Sequence, residues 1–518
     1  MCNSIIPVIF LLFGLVLCHV GPPIIRGRPR GGFLASDPAE GPVTEDQYMV
    51  YSEIVQKVDH FNDSNTATWK QRYQYNSKFY NNQTGYVFLM LGGEGSINVT
   101  NGDKWVRHEN ETMMKWVAEF QTAAFQVEHR FYGSSQYSPI GDQTTSSLQL
   151  LTIDQALADI NEFINQMNAL YFPNDQPIWI TFGGSYPGSL SAWFRETYPQ
   201  QTAGAVSSSS AVHVFVDYYG YAINTEKTYR AVSDSCANVI GVAFQNLIQT
   251  AYNGATSRAA LKTQFNLCDD FDESNVSKSV QFFFQNLYGY FQGINQYTGD
   301  NRNNATRSGL GVPAACQILN NATIGDEIQR VIGVLSLYDS WYSPSDSGCR
   351  PNNYTAFIQT YADTSMPNDD VISTRSWIWQ TCTELGYYQT TDGGNSGIFG
   401  STVPLDFFAD QCIALFGPEY TLDKTFELID AVREKYGHKI PNDENDVDSW
   451  LINGTAHCAD MYPARDSDSQ SLKDARLRIH AHLKTWLDNA QKLRTNSSFS
   501  SILSNISMFL LIAVWNLL

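Results

Sequence analysis

The sequence predicts an α/β fold in which helices cover both faces of a mainly parallel sheet. Three apolar runs carry this prediction, namely Tyr86–Gly95 (YVFLMLGGEG), Ala123–Gly133 (AAFQVEHRFYG) and Pro177–Gly188 (PIWITFGGSYPG). Each run is nearly continuous and leads into a turn, as a buried parallel strand does. Between the last two, the apolar residues of Leu151–Leu170 recur at three and four positions, which predicts an amphipathic helix. This alternation of strand and helix is typical of a doubly covered sheet.

The rest of the chain divides into segments that differ in composition and in hydrophobic pattern. Residues 21–46 are rich in Gly, Pro and Arg and are expected to be a linker, and residues 47–212 form the first part of the sheet core. Residues 213–405 are helical in pattern, aromatic-rich and contain five cysteines, which predicts a helical insertion stapled by disulfides. The core is expected to resume over residues 406–490, with a short strand and its exit loop in Trp450–Ala464 and then an amphipathic final helix.

Composition excludes several classes of protein. Of the 518 residues, 43% are hydrophobic and only 16% are charged, which is the opposite of a disordered chain. The 33 Lys and Arg against 52 Asp and Glu give a net charge of −19, which repels phosphate backbones, so we predict no nucleic-acid partner. No cysteine or histidine spacing resembles a zinc site or a redox pair, and we predict no metal and no organic cofactor.

Both ends of the chain indicate the secretory pathway. Residues 1–20 contain an uncharged apolar run typical of a signal peptide. Residues 496–518 place small residues, a spacer and an apolar tail in the order of a glycosylphosphatidylinositol anchor signal, or else form a hydrophobic terminal helix. The same compartment is indicated by N-glycosylation sequons at Asn62, Asn82, Asn98, Asn110, Asn275, Asn304, Asn321, Asn353, Asn453, Asn496 and Asn505. We therefore expect a secreted, lysosomal or lipid-anchored glycoprotein.

A candidate nucleophile lies where the third apolar run ends. Strand, Gly183-Gly184-Ser185-Tyr186-Pro187-Gly188 and a helix beginning near Ser189 follow the order of a nucleophile elbow, which exposes a serine hydroxyl above the sheet edge. Pro187 departs from the strict GxSxG pattern. The backbone N–H of Tyr186 can donate to an oxyanion, and Gly93, after the first run, can supply a second N–H or simply form a tight turn.

A serine needs a base, which in this arrangement is a histidine after the last strand of the sheet. Of the nine histidines, His457 in LINGTAHCADMYP has that placement. His129 and most of the others lack it, and His480 and His482 fall on the predicted final helix. His457 is therefore the predicted general base.

Many motifs in order make the chain resemble the S28 family of serine carboxypeptidases, the prolyl carboxypeptidase and dipeptidyl peptidase II family, and most of all its thymus-specific serine protease type. They include VDHFN, TWKQRY, FLMLGGEG, VEHRFYGSS, GGSYPGSLSAWF, SWIWQTCTELGYYQT and LINGTAHCADMYPA. The resemblance implies an α/β-hydrolase core with a helical cap, and exopeptidase activity on proline-containing peptide ends. It implies Ser185 as nucleophile and His457 as base. It also implies disulfides Cys236–Cys316, Cys268–Cys349 and Cys382–Cys412, with Cys458 as a spare thiol.

The third member of the triad is missing from its expected place. Relatives carry an Asn-Gly-x-x-Asp-Pro-Trp pattern about two dozen residues before the histidine, whereas this chain reads GHKIPNDENDVDS between Tyr436 and Trp450. Asp443, Asp446 and Asp448 are nearby carboxylates in a run typical of a solvated loop. An omitted coding segment would explain the loss of strand and acid together, and sequencing the transcript across this region tests that hypothesis. The triad acid is left unassigned.

Three functions fit these observations. The first is a serine exopeptidase acting on peptides through Ser185 and His457, in either carboxypeptidase or dipeptidyl-peptidase mode. The second is a catalytically impaired glycoprotein that binds other molecules, and the third is an esterase on the same core. Trp377, Trp379 and Tyr387 either line a proline pocket or, more often for such aromatics, belong to the core.

Overall fold

The structure is a computed structural model that describes residues 23–29, 32, 46–97, 103–134, 138–299, 309–342, 348–392, 397–437, 447–495 and 510–513. The strands are β1 Ile24–Ile25, β2 Arg28–Pro29, β3 Met49–Lys57, β4 Thr68–Asn76, β5 Tyr86–Leu91, β6 Ala123–Val127, β7 Ile178–Gly184, β8 Gly204–Ser208, β9 Phe215–Asp217, β10 Gly386–Tyr388, β11 Val447–Trp450 and β12 Leu510–Ala513.

Helices precede and follow most of these strands. They are α1 Lys104–Arg107, α2 Thr112–Phe120, α3 Thr145–Leu148, α4 Ile153–Tyr171, α5 Tyr186–Thr197, α6 Gly220–Val232, α7 Asp234–Tyr252, α8 Ala255–Phe265, α9 Val276–Gln296, α10 Val312–Leu319, α11 Glu327–Tyr342, α12 Tyr354–Ala362, α13 Asp369–Gln380, α14 Leu405–Phe416, α15 Leu422–Val432 and α16 Gln470–Thr495. Among the described residues no helix is both long and apolar enough to cross a bilayer.

Eight strands form one sheet in the order β11-β12-β8-β7-β5-β6-β4-β3. The pairs β3–β4 and β4–β6 are antiparallel, and the remaining pairs are parallel. The three predicted strands are β5, β6 and β7, and the predicted helix is α4. This sheet with helices on both faces confirms the predicted α/β fold.

Both faces of the sheet are buried because alternate residues of its central strands enter different cores. On β5, Val87 and Leu89 pack in the larger cluster with α4, whereas Phe88 and Met90 pack in the second cluster with residues of α2 and α16. Continuous apolar character is therefore required, since a half-buried strand would alternate with polar residues. Because β5, β7 and β8 are parallel neighbours, their carboxyl ends lie at the same edge of the sheet, and the loops that follow them begin there.

Between β8 and β11 the chain is helical, with the small parallel pair β9–β10 as its only described sheet. Its helices continue past residue 405 as far as α15. Three disulfides hold this insertion together, Cys236–Cys316, Cys268–Cys349 and Cys382–Cys412, the same pairs that the family resemblance implies. The insertion is thus largely helical and disulfide-stapled, as the sequence predicted.

The far side of the sheet differs from the sequence-based prediction in two ways. The predicted position of a strand within Trp450–Ala464 is wrong, because β11 spans Val447–Trp450 and the chain after it forms turns. The second difference is β12, which was not predicted. These four residues near the end of the chain pair in parallel with both β8 and β11 and so occupy the sheet position between them. The remainder of the 496–518 tail, like the predicted signal peptide of residues 1–20, lies outside the described residues.

Candidate active site

The backbone between β7 and α5 makes the sharp turn that the sequence predicted. Ser185 has φ 62° and ψ −134°, a strained conformation that non-glycine residues seldom adopt. Its N–H donates to the carbonyl oxygen of Ser208 at 2.9 Å, at the end of β8. Although Ser185 occupies the N-cap position of α5, its side chain makes no capping hydrogen bond. The Ser185 hydroxyl is therefore not used to cap helix α5.

Close packing around the turn explains its unusual sequence. A Cβ on Gly183 would lie 2.1 Å from the carbonyl oxygen of Pro187, so only glycine fits there. A Cβ on Gly93 would lie 2.2 Å from the Pro187 ring, which places the loop after β5 against the first turn of α5. Helix α5 begins at Tyr186, a little earlier than expected, because proline is tolerated in a first turn whose N–H groups have no intrahelical acceptor.

The side chain of Tyr186 is held by a buried network that the sequence did not reveal. Its hydroxyl lies 3.0 Å from Nε2 of His129 and accepts a hydrogen bond from Nε2 of Gln380 at 2.9 Å. His129 Nδ1 lies 2.8 Å from the carbonyl oxygen of Arg130, which can only accept, so Nε2 is the acceptor for the tyrosine hydroxyl. Burial lowers the pKa of His129 to about 4, so the imidazole is neutral near neutral pH. His129 lies two residues after the end of β6, so it is at the same edge of the sheet as Ser185, which follows β7.

A second buried group, Glu384, lies one turn beyond Gln380. Both of its carboxylate oxygens accept from the backbone N–H of Ile153 at 3.0 Å, the first residue of α4. Burial raises the pKa of the Glu384 carboxyl to about 8, with a further contribution from the nearby charge of Asp154. This carboxyl is therefore protonated in the folded protein over much of the range in which it is ionised in the unfolded chain.

We expect Glu384→Gln to become more stabilising relative to wild type as pH rises. A group whose folded pKa is raised contributes stability below its unfolded pKa and loses it as pH rises through the folded value, here by at most about 1.4 kcal/mol per pH unit between about 4.5 and 8. Glutamine keeps the oxygen acceptor and removes the titration. The difference in melting temperature between variant and wild type should widen from pH 5 to pH 8, and a constant difference would contradict the assignment.

His457 lies at the same end of β8 as Ser185. Its side chain is 8% exposed, and its backbone N–H donates to the carbonyl oxygen of Gln296 at the end of α9, at 2.8 Å. The next residue, Cys458, donates from its backbone N–H to Oγ of Ser209 at 3.0 Å. Because Ser185 bonds to Ser208 and Cys458 to Ser209, the segments that carry the predicted nucleophile and base converge on adjacent residues.

Cys458, the residue after His457, carries a buried thiol. It is free and fully buried, and burial raises its pKa well above the ordinary thiol value. Since the thiolate is the reactive form of cysteine, this thiol is not an alternative nucleophile.

Of the three candidate acids, only Asp448 is among the described residues. Asp448, on β11, binds Arg478 of α16 and lies 2.6 Å from Nε2 of His482. Both of its oxygens are thus engaged by the final helix. Asp443 and Asp446 lie outside the described residues. Asp460, close after His457 in the chain, is buried and accepts a hydrogen bond from the hydroxyl of Ser208, and burial raises the pKa of its carboxyl.

The other predicted residues are placed as follows. Trp377, Trp379 and Tyr387 are all buried in the larger core cluster. Of the sequons in described regions, Asn353 is partly exposed and the exposed ones are Asn62, Asn82, Asn110, Asn275, Asn321 and Asn453. Asn98, Asn304, Asn496 and Asn505 lie outside the described residues.

The chain matches the family model described as serine carboxypeptidase S28 over residues 56–447 and again over residues 439–479. The two stretches overlap within GHKIPNDENDVDS, the segment that lacks the expected aspartate pattern. A Caenorhabditis elegans protein named as a candidate serine protease is 37% identical, with 92% of this chain and 93% of that protein covered.

Two human proteins are also similar. Thymus-specific serine protease of Homo sapiens is 28% identical, with 85% of this chain and 87% of that protein covered. Lysosomal Pro-X carboxypeptidase of Homo sapiens is 23% identical, with 88% and 91% covered. The chain belongs to the serine carboxypeptidase S28 family, and it is accordingly a serine-type peptidase.

Proposed function

We propose that this protein is a serine exopeptidase that cleaves peptides through an acyl-enzyme on Ser185. The single observation that carries the proposal is the strained turn at Ser185, set at the end of β7 beside the segment of His457. A positive φ at a non-glycine residue costs about 1 to 3 kcal/mol and is kept where the surrounding structure and function require it. In a member of a peptidase family, such a turn supports the proposal that Ser185 is the nucleophile.

In the proposed reaction, His457 takes the proton of Ser185 Oγ as that oxygen attacks the peptide carbonyl. The negative charge that develops on the carbonyl oxygen is stabilised by the backbone N–H groups of Tyr186 and Gly93. The imidazolium of His457 then gives its proton to the leaving amine, and the acyl-enzyme remains. Water, deprotonated by the same histidine, attacks the acyl carbon, the ester bond to Ser185 Oγ breaks, and His457 returns the proton to that oxygen.

The proposed substrates are peptides with proline near one end, and the helical insertion, bounded as residues 213–405, would cap the site. The name of the human lysosomal relative supports the substrate class, since it specifies a Pro-X carboxypeptidase. That name and the sequons support a secreted or lysosomal glycoprotein. A lipid anchor at the 496–518 tail is a further proposal, and it conflicts with the place of β12 inside the sheet.

An alternative function has one specific observation in its favour. The family's aspartate pattern is absent from the sequence, and Asp448 is bound by Arg478 and His482 of the final helix. Loss of the acid from a triad typically lowers turnover by about 10⁴. A catalytically impaired glycoprotein that binds peptides without cleaving them is therefore the second candidate.

Labelling with a fluorophosphonate probe tests the first proposal. We expect the probe to label wild type and not Ser185→Ala, because the phosphonate bonds only to an activated hydroxyl. Ser191→Ala is the matched control, since Ser191 lies on the same helix and its hydroxyl bonds Oγ1 of Thr181 at 2.9 Å inside the core. Equal labelling of wild type and Ser185→Ala would refute Ser185 as the nucleophile. Labelling without turnover of proline-containing peptides would favour the impaired homologue.

A further inference from the structure

A short segment near the start of the chain lies beside the candidate active site. This segment, the N-terminal strap, comprises residues 23–29 and forms the small antiparallel pair β1–β2. The composition of this region predicts a linker. Instead Ile24 and Ile25 are buried, at 2% and 5% exposure. The strap is thus an integral part of the structure.

One arginine fixes the strap to the helical insertion. Arg26 is 2% exposed, and its guanidinium donates to Oγ1 of Thr381 at 2.5 Å, to the carbonyl oxygen of Phe408 at 3.1 Å and to Oε1 of Gln411 at 3.3 Å. It also lies 4.4 Å above the ring of Tyr388. A buried charge is costly unless it is hydrogen-bonded, so losing the contacts of the two terminal nitrogens would be unfavourable, and these contacts favour one position of the strap.

The strap then contacts residues that touch the predicted catalytic groups. The carbonyl oxygen of Ile25 accepts from Nε1 of Trp377 at 2.9 Å, and the Trp377 ring lies 5.9 Å from the ring of Tyr186. The carbonyl oxygen of Gly27 accepts from Nε2 of Gln296 at 3.3 Å. Gln296 is the residue whose own carbonyl oxygen receives the backbone N–H of His457. The middle of the strap is therefore bound on the base side of the site.

The next residue, Arg28, contacts the loop that follows β5. Arg28, which is 2% exposed, donates from Nε to the carbonyl oxygen of Glu94 at 2.7 Å and from Nη1 to Oγ1 of Thr374 at 3.0 Å. Glu94 follows Gly93 in the loop that packs on Pro187. Within a few residues, the strap joins the insertion beside His457 to the loop of the proposed oxyanion site.

We propose that the N-terminal strap is a fixed wall across one side of the substrate site and that it confines cleavage to peptide ends. A continuous polypeptide cannot run between the insertion and the Glu94 loop along the line that the strap occupies. A substrate would then have to enter as a free end from the side where Ser185 is partly exposed. This inference rests on the proposed peptidase function, and it assigns the restriction to named anchors.

Identifying the products of peptide cleavage tests whether the strap blocks internal cleavage. The substrate is a peptide of about 20 residues in which a proline-containing cleavable sequence stands in the middle and recurs at both ends, and products are identified by mass spectrometry. We expect wild type to release only terminal fragments. Arg26→Ala and Arg28→Ala remove the two anchors and should raise internal cleavage at least tenfold relative to terminal cleavage. Arg230→Ala, which breaks a surface pair with Glu226, is the matched control and should keep the wild-type pattern.

A third variant guards against misfolding of the arginine variants. Gly27 has φ 82°, and a Cβ there would lie 2.8 Å from Nε2 of Gln389, so Gly27→Val should displace the strap while both arginines remain. Fluorophosphonate labelling identifies folded, active enzyme in each case. Internal cleavage by wild type, or an unchanged product pattern in labelled strap variants, would overturn the inference. Absence of labelling in wild type would instead refute the proposed function.

Discussion

Replacing His457 by alanine is expected to lower peptide turnover at least a hundredfold. With a complete triad the loss of the base costs on the order of 10⁶ in turnover. If the acid is already missing and has cost about 10⁴, the further loss is about 10². The measurement is kcat for a proline-containing peptide in wild type and variant, so the size of the effect also reports whether a carboxylate orients the imidazole.

The control for this experiment is another histidine outside the site. His480 lies on α16 and its Nε2 is 2.8 Å from a carboxylate oxygen of Glu119 at the surface, so His480→Ala should leave kcat within about twofold of wild type. The acid limb of the pH profile of kcat/KM should disappear in His457→Ala and persist in His480→Ala. A kcat within about threefold of wild type in His457→Ala would show that His457 is not the base.

Ile512→Pro is expected to destabilise the protein strongly, because β12 lies between two other strands. In such a strand each backbone N–H faces one neighbour or the other, and here the neighbours are β8 and β11. Proline has no N–H and is essentially excluded from central strands. An acceptor left without its donor costs about 1 to 3 kcal/mol, and misfit of the ring adds to this. Thermal unfolding of the purified protein measures the change.

Ile512→Val is the matched variant, since it retains the N–H and should unfold near the wild-type temperature. This pair of variants also separates the two fates of the 496–518 tail. If the tail is removed and replaced by a lipid anchor, Ile512→Pro cannot affect the mature protein. An unchanged melting temperature, with mass spectrometry showing a chain that ends before Leu510, would therefore contradict the place of β12 in the sheet.

Local patterns were enough to predict the elements on which the site is built. Continuous apolar residues identified β5, β6 and β7, and apolar residues spaced by three and four identified α4. Both patterns can be recognised locally because the burial of a strand or helix determines which of its neighbouring residues are apolar. The turn at Ser185 was also readable, since its glycines and the strand before it are neighbours in sequence. The prediction of His457 as the base rests on its order in the chain and on family resemblance.

Contacts between distant residues were beyond such patterns. His129 and Gln380 meet at the hydroxyl of Tyr186 although they are far apart in the sequence, and neither is marked by periodicity. Likewise, Arg26 reads as part of a Gly- and Arg-rich linker until the helical insertion provides its buried acceptors. A lone polar residue carries no local sign of whether a partner will satisfy it.

By itself, the sequence determined the α/β class, the helical insertion, the elbow at Ser185 and the membership of a peptidase family. Only the tertiary structure decided that the tail strand β12 stands between β8 and β11, that Tyr186 contacts His129, and that the N-terminal strap is buried against the helical insertion. The physical reason is range: helix and strand formation follow from neighbouring side chains, whereas strand order and the burial of a charge depend on which remote groups the completed fold brings within hydrogen-bonding distance.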